Sequence, residues 1–96
     1  MNFKNRRFIT KGVVENVSPL LQLFMWQCIE EMNSTKDYLQ VFKISIENGK
    51  QKIIHEQEVS EYKAEYLIKS DTPLFVGKIY VIDDETYSTM LLAEEY

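Results

Sequence analysis

Asn48-Gly49 lies between two stretches of alternating hydrophobicity, and few dipeptides restrict a chain more. A two-residue type I′ turn needs positive φ at both central positions, which Asn and Gly tolerate and most residues resist. With the turn at 48–49, Glu47 faces Lys50, Ile44 faces Ile53, Phe42 faces His55 and Tyr38 faces Val59. The first is an opposite-charge pair. The other three stand on one face, and two of them are apolar on both sides. Turn chemistry and face pattern therefore agree on one register, with strands over 37–46 and 50–59. The same register puts His55 on the inward face beside Phe42.

The second constraint is residues 18–32, which carry the chain's one Trp and one Cys. Ser18 is placed to cap a helix, and Pro19 at the first helical position loses no needed donor. At about 100° per residue, Leu20, Leu21, Phe24, Met25, Cys28, Ile29 and Met32 form a broad apolar arc, with Gln22 and Glu30 outside it. Leu23 and Trp26 also fall outside the arc and neighbour each other. Either they pack under another segment of the chain, or they are exposed anchors for a partner, a role in which Trp is enriched. The second reading makes Leu23, Trp26, Gln22 and Gln27 a contact surface.

The remaining chain reads mostly as strands. The β-branched and aromatic content of 7–14 favours a first strand, with Gly12 at a bulge or bend. A strand over about 65–69, or else a short helix starting at Ser60, is followed by a turn at 70–73, a strand over 76–83 and a last strand over 87–93, the final pair forming a second hairpin. The expected fold is α+β. One main helix packs on a curled, mostly antiparallel sheet of five or six strands, in a single domain over residues 1–96.

Composition supports a folded chain: 45% hydrophobic, 12% aromatic, with three Gly and two Pro. Formal net charge is −4, and the two ends differ. Lys4, Arg6, Arg7 and Lys11 near the start face no nearby acid, whereas Asp83, Asp84, Glu85, Glu94 and Glu95 near the end face no base. Such ends attract each other within a fold or between copies. The single Cys28 cannot form an internal disulfide and reads as core. No secretory h-region and no apolar run near the roughly 20 residues of a membrane span are present. A cytoplasmic protein without membrane partners is expected.

Candidate chemistry is sparse. His55 is the one histidine, in His-Glu-Gln-Glu, but on a strand Glu56 and Glu58 point away from it. An enzyme built on His55, with Tyr38, Tyr62 or Glu58, needs a pocket at the open end of the hairpin. A histidine hydrogen-bonded to a tyrosine or a backbone group is the simpler expectation. Asp83-Asp84-Glu85 lacks the spacing and the Gly of a Ca²⁺ loop and reads as a solvated turn. Lys4, Arg6, Arg7 and Phe8 mix bases and an aromatic in the way a nucleic-acid surface does, though an acidic chain binds nucleic acid poorly. No Gly-rich phosphate loop and no nucleophile elbow occur. No catalytic residue, metal site or cofactor is expected.

Several segments together resemble a known family. They are Arg-Phe-Ile-Thr-Lys-Gly at 7–12, Leu-Gln-Leu-Phe-Met-Trp-Gln at 21–27, Asp-Tyr-Leu-Gln-Val-Phe at 37–42, Ile-His-Glu-Gln-Glu at 54–58 with Tyr62, and the ending at 88–96. The chain is similar over its whole length to domain of unknown function 960, small proteins of Firmicutes. The resemblance implies a Gram-positive, cytoplasmic origin and carries over no activity, cofactor or catalytic residue. Family members often have Pro before the Glu-Tyr or Tyr step, where this chain has Val59-Ser60-Glu61-Tyr62. The expected function is a non-catalytic protein-interaction module with an unidentified partner or a second copy of itself. A nucleic-acid accessory protein is the alternative, and an enzyme centred on His55 the third.

Overall fold

The computed structural model describes residues 2–96. Six strands form one open sheet: β1 (Arg6–Ile9), β2 (Leu39–Glu47), β3 (Lys50–Gln57), β4 (Tyr62–Ile68), β5 (Gly77–Asp83) and β6 (Tyr87–Leu92), in the order β1-β6-β5-β2-β3-β4. Helices α1 (Lys11–Asn16) and α2 (Pro19–Glu30) and a 3₁₀ turn at Ala93–Glu95 complete it. The architecture is α+β. The sheet does not close. It is mixed, because β1 runs parallel to β6 while the other four pairings are antiparallel.

The 48–49 hairpin has the register its turn dictates. Glu47 pairs with Lys50, Ile44 with Ile53 and Phe42 with His55. Asn48 and Gly49 take φ of 52° and 75°. The Tyr38–Val59 pair does not form, because the ladder stops at Val41–Glu56. There the Asp37 side chain enters instead, its Oδ2 accepting from the Val59 N–H at 3.3 Å.

The expected first strand over 7–14 is divided. After Ile9 the Thr10 hydroxyl accepts from the Val13 N–H and starts α1, so Gly12 is helical and marks no bulge. Side-chain capping at Thr10 outweighs the β preference of Val13 and Val14. Val13 is thereby turned into the core while Val14 stays outside. Ser18 caps α2 as the sequence indicates, accepting from the Leu21 N–H with Pro19 behind it.

The core lies between α2 and one face of the sheet. Phe42, Ile44, Ile53, Ile79, Val81 and Met90 meet Leu21, Met25, Cys28 and Ile29 there, and Phe3 and Val13 close the β6 end. Phe3 is held at φ 58° by its N–H bond to Asp83 Oδ2 at 3.1 Å. Asp83 also accepts from the Asn5 side chain and the Glu85 N–H. It is therefore a buried acceptor and not part of a solvated turn. Burial pushes its carboxyl up, but these donors outweigh burial and hold it below the usual carboxylate range.

The oppositely charged ends do meet, through β1–β6 pairing and hydrogen bonds. Glu95 Oε1 accepts from the Thr10 hydroxyl at 2.6 Å and the Leu92 N–H at 2.8 Å, and its Oε2 accepts from the Gly12 N–H at 3.1 Å. A Cβ on Gly12 would stand 2.7 Å from the Glu95 carboxylate carbon. The glycine is what permits the approach.

Candidate interaction surface

Helix α2 uses one side for the core, and that side is rotated from the arc drawn on the sequence. Trp26 is 7% exposed and joins the core, whereas Leu20, assigned to the core arc, is 67% exposed. Trp26 is not a surface anchor, because Arg7 covers it. The guanidinium carbon lies 4.5 Å from the indole centroid, and Arg7 Nη2 reaches Glu30 Oε2 at 2.6 Å. Of the residues expected beside Trp26, Gln22 turns back to donate to the Val17 carbonyl at 2.9 Å. Leu23 and Gln27 remain outside, Leu23 at 62% exposure. The outward side of α2 is thus Leu20, Leu23 and Gln27, residues spaced three and four apart that share one helical face.

Leu20 was hidden from sequence reasoning by the width of the apolar arc. Nine of the residues between Leu20 and Met32 are apolar, so periodicity alone does not say which side faces in. In the structure Arg7, a base whose stem and fork suit an aromatic face, lies over Trp26.

The basic N-terminal residues do not form one surface. Strand alternation sends Arg6 and Phe8 to the helix-free face of the sheet and Arg7 to the helix side. Arg6 lies over the Phe8 ring, and Phe8 is edge-on to Tyr87. Lys4 is exposed. Arg7 is engaged by Trp26 and Glu30.

His55 is fully buried and stacks on Phe42, ring centroids 4.4 Å apart. Its Nε2 is 2.6 Å from Gln40 Oε1. Gln40 Nε2 donates to Asp37 O and Gln57 Oε1, so Gln40 presents its oxygen to the ring and His55 carries its proton on Nε2. Gln57 in turn donates to the carbonyls of Thr35 and Ser60 and accepts from the Asp37 N–H. The network ties β2 and β3 to the two loops at their open end. Its partner is thus a glutamine and not a tyrosine, although Tyr62 packs edge-on at 5.2 Å. Burial pushes the imidazole down to about 4. The depression near the open end of the hairpin, which Leu39, Val41, Lys43, Glu56, Lys78 and Tyr80 help to line, does not include His55 and lies mainly on the other face of the sheet. The imidazole is thus neutral at pH 7 and enclosed.

Burial likewise pushes the Cys28 thiol up to about 11, only partly offset by a hydrogen bond with Tyr66. Such a thiol carries almost no thiolate at neutral pH. Among the described residues no group of three or more His, Cys, Asp or Glu is placed to hold a metal ion. No helix among them is long and apolar enough to cross a membrane.

The profile of a family described as "Staphylococcal protein of unknown function (DUF960)" matches residues 6–95. No curated protein sequence matches the chain. Among solved structures, the chain is similar to one titled "Crystal structure of the protein of unknown function from Enterococcus faecalis". The two share 24% identity and a TM-score of 0.86, covering 100% of this chain and 96% of that one. This likeness shows the fold alone. Both names come from Firmicutes, the group to which the sequence resemblance pointed.

Proposed function

We propose that this chain, which belongs to the DUF960 family of proteins of unknown function, acts as a small non-catalytic interaction module. Residues 1–96 are read as a single domain working in the cytoplasm, in keeping with its free, buried Cys28. The contact surface is the outward side of α2, with Leu23 and Gln27 joined by Leu20. Trp26 serves behind it as buried support, and Gln22 as a brace to Val17 O.

One observation carries the reading. Two leucines three residues apart stand 67% and 62% exposed on a helix whose opposite side is already filled by core. A helix needs only one apolar side to hold its place in a two-layer domain, so a second apolar side has no role in the fold. The occupant favoured is a second copy of the chain, because a two-fold axis across α2 sets Leu20 and Leu23 of one copy against Leu23 and Leu20 of the other.

The test is the solution mass of the full chain by light scattering, for wild type and for Leu20→Ser/Leu23→Ser. The expected result is a dimer that becomes a monomer with unchanged circular dichroism. A wild-type monomer at high micromolar concentration would remove the self-association reading, and a dimer untouched by the double substitution would remove this surface.

A further inference from the structure

The helix-free face of the sheet is basic on a chain that is acidic overall. Each carboxylate on its strands is already bound there, Glu56 by Lys43 at 2.8 Å, and Glu47 and Glu65 by Lys52 at 3.3 and 3.8 Å. Arg6, Lys50, Lys63 and Lys78 stand on the same face with no carboxylate at salt-bridge distance among the described residues. Counting Glu58 just past β3, the face has a formal charge of +2 on a chain whose total is −4. Glu56 feels this field: its hydrogen bond to Lys43 and the charges of Lys63 and Lys78 hold its carboxyl low.

Between those bases the floor is apolar. Val41 lies beside Tyr80, and Leu39 beside Ile82, across the β2–β5 pairing. Leu39, Val41 and Tyr80 form the bottom of a depression of about 270 Å³ walled by Lys43, Lys78, Glu56 and Glu58. The free face of an antiparallel sheet is usually polar, so aliphatic residues in successive rows need a reason.

We propose that this face docks an acidic amphipathic helix of a partner protein. Leucine-like side chains of the helix would seat on Leu39, Val41, Tyr80 and Ile82, and its flanking carboxylates would meet Lys63 and Lys78. A helix suits the middle of a sheet face because it satisfies its own backbone groups, whereas an extended strand laid there would leave them unpaired. The molecule measures 35 × 27 Å along its two longer axes. A helix of about 14 residues, about 21 Å long, fits within that span. A second copy packed face to face would bring like charge onto like charge. Single-stranded nucleic acid fits less well, since the centre of the floor is aliphatic. Tyr80 and Phe8 are also already edge-on to Tyr96 and Tyr87. The proposal is independent of the α2 surface, which lies on the other side of the domain.

The test uses the full chain and a fluorescent peptide of about 14 residues with leucines at helical i, i+3, i+4 and i+7 spacing flanked by glutamates. Its controls are the same peptide with lysine for glutamate, the same peptide with serine for leucine, and an oligo(dT) strand. Anisotropy should show binding of the acidic leucine peptide alone, weakened by salt. Lys63→Glu/Lys78→Glu and, separately, Val41→Glu should each weaken it about tenfold or more with unchanged circular dichroism. Leu20→Ser/Leu23→Ser should leave it unchanged. Binding of oligo(dT) in place of the peptide, no peptide binding at millimolar concentration, or full binding by Lys63→Glu/Lys78→Glu would overturn the proposal. So would an oligomeric mass of the wild type that falls in that same double variant, which would assign the face to a second copy.

Discussion

The Arg7 guanidinium covers the Trp26 indole at 4.5 Å from the ring centroid, closing the edge of the core along α2. Arg7 also donates to Glu30 Oε2 at 2.6 Å, linking β1 to the last turn of α2. Arg7→Gln should lower unfolding free energy by about 1 kcal/mol, from lost cation–π contact and stem packing. Glu30→Gln should cost less, because an exposed ion pair contributes little. Urea titrations of both variants check the order. An equal loss in the two would mean that the ion pair, and not the ring contact, holds β1 to the helix.

Trp26 and Leu23 lie three apart on one helix and should respond oppositely to truncation. Trp26→Ala removes a buried ring and should cost about 3–5 kcal/mol. Leu23→Ser removes an exposed side chain and should stay within about 0.5 kcal/mol. Thermal melts distinguish them. A stable Trp26→Ala protein would contradict the burial of the indole.

His55 gives the fold an acid sensitivity with a defined window. Its imidazole is held neutral, pushed from the ordinary 6.5 down to about 4. Above the unfolded value both states are neutral and nothing is lost. As pH falls through the window, the unfolded chain takes up a proton that the folded chain refuses, and stability drops by about 3 kcal/mol in all. His55→Gln should be less stable than wild type at neutral pH, and the gap should narrow as pH falls from 6.5 to about 4. Chemical denaturation at several pH values measures it. A gap that stays constant would show that His55 does not titrate as described.

Glu95 acts in the opposite sense. The Thr10 hydroxyl and the Leu92 and Gly12 N–H groups hold its carboxyl below the usual range. Its contribution is present above the unfolded value and disappears as pH falls through the lower folded one. Glu95→Gln should melt below wild type at neutral pH and coincide with it in acid. Gly12→Ala should reproduce the neutral-pH loss, since the added Cβ displaces the same carboxylate. Melting curves from neutral to acid pH test both variants together.

Much of this fold is readable from local rules. The 48–49 turn needs φ values that Asn and Gly supply, so the register of Ile44, Ile53, Phe42 and His55 follows from the turn and face pattern. The Ser18-Pro19 start of α2 likewise rests on one hydroxyl and one ring. The site was less legible. The α1 boundary depended on Thr10 prevailing over β-branched neighbours, and Asp83 in an acidic run gave no sign of being a buried acceptor.

What the sequence determined by itself was whatever a few adjacent residues decide: the hairpin and its register, the start of the main helix, the inward side of His55 and the α+β class. What only the tertiary structure decided was which of two apolar helix sides is core, where the two charged ends meet, and that four unpaired bases gather on one sheet face. Those depend on residues distant in the chain, Arg7 on Trp26, Thr10 on Glu95 and Lys78 beside Lys43. Periodicity reports how side chains divide around one element; it does not say what arrives from elsewhere to cover them.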